Sequence, residues 1–129
     1  MSSEQLRRQV VFYAGQSRTL AARLSKPQPS PFIEGDPYQQ ADIVSITATV
    51  YSNDNIVDAW NAISVDVSDV ISNTLQGWRA DAIGYNFKHT IGPEGFPVGC
   101  VLGKVVYQFT MADGTQWAVE FYGPVERVP

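Results

Sequence analysis

His89 and Cys100 are the side chains best suited to nucleophilic or acid–base chemistry, and each is the single residue of its type. An imidazole beside a hydroxyl or thiol, held by an orienting acid, would make a hydrolase triad in which the ring takes the nucleophile's proton. The surroundings argue against that use. Cys100 follows a loop rich in glycine and proline, with no helix N-terminus beside it to lower its pKa, and reads as a small buried hydrophobe. His89 falls within an alternating strand and reads as a sheet residue satisfied by a backbone carbonyl. One imidazole excludes metal sites built on two or more, and one cysteine excludes an intramolecular disulfide and a multi-cysteine zinc site. Asp54, Asp58, Asp66, Asp69 and Asp81 gather in the middle third without the D-x-D-x-D-G spacing of a calcium loop. They read as turn residues and solvated faces, with a weak divalent site between subunits as the alternative. No G-x-G-x-x-G, Walker A or H-E-x-x-H pattern occurs. Trp60 and Trp78 could stack on sugars or plug the ends of a sheet sandwich. The expectation is a protein that is not an enzyme and uses no catalytic residue, metal or cofactor.

Composition narrows the class. A chain of 129 residues makes one domain, able to bury about two-thirds of its unfolded surface. It is 44% apolar and only 17% charged, with a net charge of −4. Apart from Arg7-Arg8 the basic residues are scattered, which argues against a nucleic-acid partner. The opening MSSEQLRRQ is polar and lacks a secretory pattern. No run approaches the roughly 20 apolar residues of a membrane span, so no membrane partner is expected and the product should fold in a cytosol.

The elements that must carry these residues are mostly strands. Val105, Tyr107, Phe109 and Met111 alternate, Asp113-Gly114 turns, and Trp117, Val119 and Phe121 resume the period, which predicts a hairpin with one buried face. Gln108, Thr110, Gln116, Ala118 and Glu120 between them suit a solvated or partner-facing surface. In residues 42–51 Val44, Ile46, Ala48 and Val50 form one face. Residues 10–14 and 18–24 read as strands, the latter with Leu20, Ala22 and Leu24 together, and residues 56–60 and 62–67 as two more. In residues 85–91 Tyr85, Phe87, His89 and Ile91 share a face, while residues 77–82 form a loop. Residues 68–75 fit one helical turn or a bulged strand. Residues 1–9 read as an N-terminal arm, 10–125 as the domain and 126–129 as a tail. Residues 26–38, with Pro27, Pro29, Pro31 and Pro37, form a polyproline-type loop whose Phe32 and Ile33 dock on the domain's own end or reach a neighbouring subunit. The fold class is all-β, an antiparallel sandwich of immunoglobulin-like or jelly-roll type.

Several strings together carry a resemblance. Trp78-Arg79-Ala80-Asp81, Gly84-Tyr85-Asn86-Phe87-Lys88-His89-Thr90, Gly95-Phe96-Pro97 and the hairpin VVYQFTMADGTQWAVEF resemble a family of small tailed-phage virion proteins encoded near the major capsid gene. The opening Val11-Phe12-Tyr13-Ala14-Gly15 through Leu20 and the strand DIVSITATV are similar to the same family. They are similar more loosely to the N-terminal domain of phage baseplate upper proteins. The likeness spans about residues 10–125; the G-Y-N-F string is its most specific part, and the proline-rich insert departs from it. The resemblance implies a β-sandwich without catalytic residues that works in the virion, most simply as a capsid cement or decoration protein bridging major capsid subunits. A neck, tail or baseplate adaptor is the alternative, and a carbohydrate- or cell-binding module is a third reading. Candidate contacts are Phe32, Ile33 and Tyr38 in the loop and Leu6, Arg7 and Arg8 in the arm, where the arginines would meet acidic groups on the shell. Self-association as a dimer or trimer would multiply such patches.

Overall fold

In the computed structural model the backbone is described over residues 4–26, 37–78 and 81–127. The hairpin that alternation predicts is the centre of the molecule. Strand β9 (Leu102–Met111) pairs antiparallel with β10 (Gln116–Glu126), and β4 (Ile43–Ser52) pairs with the other edge of β9. The turn is wider than Asp-Gly alone. The Met111 N–H donates to the Thr115 carbonyl, Gly114 takes φ +90, and the Asp113 carboxylate accepts from the Thr115 N–H and hydroxyl. Glycine adopts that φ without the Cβ clash other residues meet.

Around this centre a seven-stranded sheet runs in the order β1 (Glu4–Gln9), β10, β9, β4, β5 (Asn55–Ile56). Strand β2 (Phe12–Tyr13) adds to β10, and β6 (Ile63–Val65) adds to β4 beside β5 (Asn55–Ile56). A three-stranded sheet, β3 (Arg18–Ala22), β8 (Asp81–Ile91) and β7 (Ile71–Trp78), faces it. Phe87 of β8 fills the space between the sheets, its ring 4.8 Å from Tyr107, 5.9 Å from Phe109 and 6.4 Å from Phe121. Such offset and edge-on aromatic pairs add to the burial of their area. The all-β sandwich holds.

Several expectations change in detail. Residues 4–9, read as an arm, are a strand: β1 (Glu4–Gln9) joins β10 in parallel, from Glu4↔Trp117 to Gln9↔Tyr122. The larger sheet is therefore mixed rather than purely antiparallel. Val44 is exposed, and Ile43 is buried in its place. The pairing slips between Ile43↔Met111 and Ser45↔Thr110, so Val44 is the extra residue of a bulge and the alternation flips there. Of residues 10–14 only Phe12 and Tyr13 are strand, and residues 58–60 form a 3-10 turn. Residues 67–70 are one helical turn, α1, leading directly into β7, so both readings of residues 68–75 are partly realised. Trp78 and Asp81, expected in a loop, pair across the β7–β8 hairpin. Phe32 and Ile33 lie outside the described residues.

Candidate functional site

Strand β1 carries Arg7 and Arg8, and because successive strand residues point to opposite faces the two part company. Arg7 lies opposite Glu120 on the outer face of the large sheet. Its Nε donates to Glu120 Oε2 at 2.5 Å, and Lys104 Nζ stands 4.0 Å from Glu120 Oε1. The Arg7 guanidinium lies 4.3 Å from the centre of the Tyr122 ring and the Lys104 ammonium 4.4 Å from that of Tyr51. Glu120 keeps only 8% of its side chain exposed. A carboxylate so covered needs compensating charge, and two cations flattened on aromatic faces supply it. These residues line a shallow groove of about 420 Å³. Arg7 is thus paired with a carboxylate of its own chain.

Arg8 lies opposite the buried Phe121, on the face of β1 turned toward the other sheet. It borders a cleft of about 560 Å³ between the edges of the two sheets, together with Arg18, Thr19, Tyr85 and Lys88. The backbone of Leu6 pairs with Val119 in the same ladder.

Where β1 gives way to β2, the Val10 N–H donates to the Tyr122 carbonyl at 2.9 Å. Gly123 sits directly against this joint, and a Cβ there would overlap the Val10 carbonyl oxygen. The approach of the two backbones is possible only because residue 123 has no side chain.

At the mouth of residues 27–36 stands a fully buried asparagine. Asn86 Oδ1 accepts from the Leu24 N–H at 2.7 Å, and its Nδ2 donates to the Leu24 and Tyr38 carbonyls, each at 2.9 Å. The Tyr38 N–H donates to the Leu24 carbonyl, and Ser25 bridges Pro37. Both ends of the proline-rich segment are therefore pinned to β8. Tyr38 stacks on Trp117 at 5.5 Å, and Trp117 on Phe109 at 4.5 Å, so this expected contact residue packs on its own domain.

His89 Nδ1 is 2.7 Å from the Tyr107 hydroxyl, not from a backbone carbonyl. Burial holds the imidazole below its usual pKa and pushes the phenol well above its own, so the pair is a neutral hydrogen bond between a half-buried ring and a core tyrosine. The Cys100 thiol donates to the Leu102 carbonyl at 3.1 Å and is not joined to His89. Trp60 packs against the core with its indole N–H donating to Glu94 at 3.0 Å and its ring edge-on to His89, as a plug would. No cluster of three or more His, Cys, Asp or Glu that could hold a metal occurs among the described residues, and no described helix is long and apolar enough to cross a membrane.

No protein-family model matches the chain, and no curated protein matches it. Sequence reasoning grouped Leu6, Arg7, Arg8 and Tyr38 as one class of contact; the structure puts Arg7 on one face of β1, Arg8 on the other, and Tyr38 at the clamp. It missed Asn86, Glu120 and Gly123. Asn86 did leave a signal, a residue disfavoured in strands set between the apolar Tyr85 and Phe87. Glu120 and Gly123 left none, since their roles depend on strands distant in sequence.

Proposed function

We propose that this chain is a structural protein of a bacteriophage particle, a capsid cement protein that braces neighbouring major capsid subunits. The observation that carries the reading is the Asn86 clamp. The G-Y-N-F string, on which the resemblance to small virion proteins is most specific, places at its third position the residue that fixes both ends of the proline-rich segment to the sandwich. A brace needs a rigid frame with an attachment segment held at its ends, and a proline-rich sequence favours extended conformations that lose little entropy on docking.

Counting the protein in purified particles by quantitative mass spectrometry tests the reading. Copy numbers comparable to the major capsid protein support cement. A far smaller number, about that of one closed ring of subunits, would move the protein to the adaptor reading. A particle without it would remove the virion assignment. Deleting residues 30–35 should leave a folded domain that no longer joins particles; normal incorporation would take the loop out of the argument.

A further inference from the structure

The two sheets of the sandwich do not close on each other at the side where the chain begins. Among the described residues, strand β1 pairs with β10 alone and β3 with β8 alone. The chain leaves β1, passes through β2, turns at Gly15 and returns as β3. Each strand consequently has one row of backbone N–H and C=O groups without a strand partner among the described residues, and the cleft lined by Arg8, Arg18, Lys88 and Tyr85 lies between those strands. Its floor is apolar, with Leu20 and Phe121 each about fully buried.

Charge sets this cleft apart from the rest of the molecule. The chain carries a net charge of −4, yet the cleft's described lining contains Arg8, Arg18 and Lys88 and neither aspartate nor glutamate. Arg18 donates to the Val11 and Thr19 carbonyls, which orient the guanidinium without neutralising it. On the outer face, by contrast, the cations share Glu120.

We infer that the β1–β3 cleft is a binding site for an extended acidic segment of a partner protein, which adds a strand to an open sheet edge and sets its carboxylates against Arg8, Arg18 and Lys88. Main-chain hydrogen bonds supply affinity in such strand addition, and side chains at alternate positions supply specificity. A nucleic acid satisfies the charge but not the edge, because it cannot offer alternating amide donors and carbonyl acceptors. An inward-pointing charge on an edge strand also discourages apolar strands from pairing there. Arg8 therefore rejects unspecific strands by the same charge that selects acidic ones. The inference holds whether or not the protein works in a particle.

The test is selection of a randomised library of displayed peptides of about ten residues, long enough for one strand, on the whole protein. Counter-selection uses the Arg8→Glu/Lys88→Glu double variant, with circular dichroism and thermal melting confirming that it is folded. The expected winners are rich in Asp and Glu at alternate positions, bind more weakly as salt rises, and protect amides of residues 5–9 or 18–22 from hydrogen exchange. Methylating alternate backbone nitrogens of a winner should weaken it by roughly tenfold or more, and Arg8→Lys should keep most of the binding. Winners without acidic enrichment, winners indifferent to N-methylation, or protection confined to other strands would each overturn the proposal. Equal binding by single-stranded DNA, or concentration-dependent dimerisation abolished by the double variant, would also overturn it by giving the cleft a different occupant.

Discussion

Arg7 and Arg8 are neighbours in the chain and opposites in the fold. Arg7 lies over a nearly buried carboxylate and an aromatic ring, on a face whose charges are matched within the domain. Arg8 borders a cleft whose other charged groups have the same sign. The outer face uses its electrostatics to hold β1 to β10, whereas among the described residues the cleft holds charges of one sign beside strand edges without a strand partner. A satisfied network stabilises a fold, and an unmatched one is available for recognition. Residue type alone therefore says little about whether an arginine is structural or a contact; the strand face and the nearest carboxylate distinguish the cases.

The comparison breaks altogether if β1 leaves the sheet, and Gly123→Ala is the way to do it. The added methyl overlaps the Val10 carbonyl, so one backbone must move. The expected cost is more than about 4 kcal/mol, in the range reserved for severe core conflicts. Chemical denaturation should show it, with hydrogen exchange of residues 4–9 accelerating first. An unchanged midpoint would mean that the β1–β2 joint is not held as described.

Asn86→Ala should rank next. It leaves the buried Leu24 N–H and the Tyr38 carbonyl without their side-chain partner, at a cost of about 2–3 kcal/mol. The loss should fall on the clamp, exposing the Leu24 and Tyr38 amides to exchange while β1 stays protected. That separation sharpens the contrast between the frame and its attachment points.

His89 gives a pH-dependent effect belonging to neither region. Its folded pKa is depressed below the ordinary 6.5 by burial. Below that pH the unfolded chain takes up a proton that the folded chain resists, so stability present above 6.5 is lost as pH falls toward the lower folded value. Urea midpoints should drop between about pH 7 and pH 5. The chain has one histidine, so His89→Gln should remove its share of the slope, leaving only what the carboxylates contribute.

The smallest effects test the comparison most directly. Arg7→Ala should destabilise by about 1 kcal/mol, discounted because the arginine is more than half exposed. Arg8→Ala should stay within about 0.5 kcal/mol. Equal losses in parallel urea titrations would dissolve the distinction between the two faces.

Much of the frame was legible in the chain. A period of two over Val105–Met111 and again over Trp117–Phe121 survives because each strand has one dry face, and burying every second residue is a local rule. Leu20, Ala22 and Leu24 obeyed the same rule and are buried. It failed at Val44, where one inserted residue inverts the faces, since a bulge is defined by the partner strand's register and not by the bulged strand's composition.

The polar opening concealed β1 for a related reason. With one face under Arg7 and the other open to a cleft, an edge strand need not be apolar, and its membership in the sheet comes from backbone bonds to β10, more than a hundred residues away in the chain. The sequence by itself determined that the protein is built of strands, which of their faces are dry, and that its lone histidine and lone cysteine make poor material for a metal or disulfide site. Which arginine meets a carboxylate and which borders a cleft of like charge, that an asparagine pins the ends of the proline-rich segment, and that residue 123 must lack a side chain were decided by tertiary structure. Charge pairing, hydrogen-bond satisfaction and close backbone approach are relations between distant residues, fixed only once the sheets have packed.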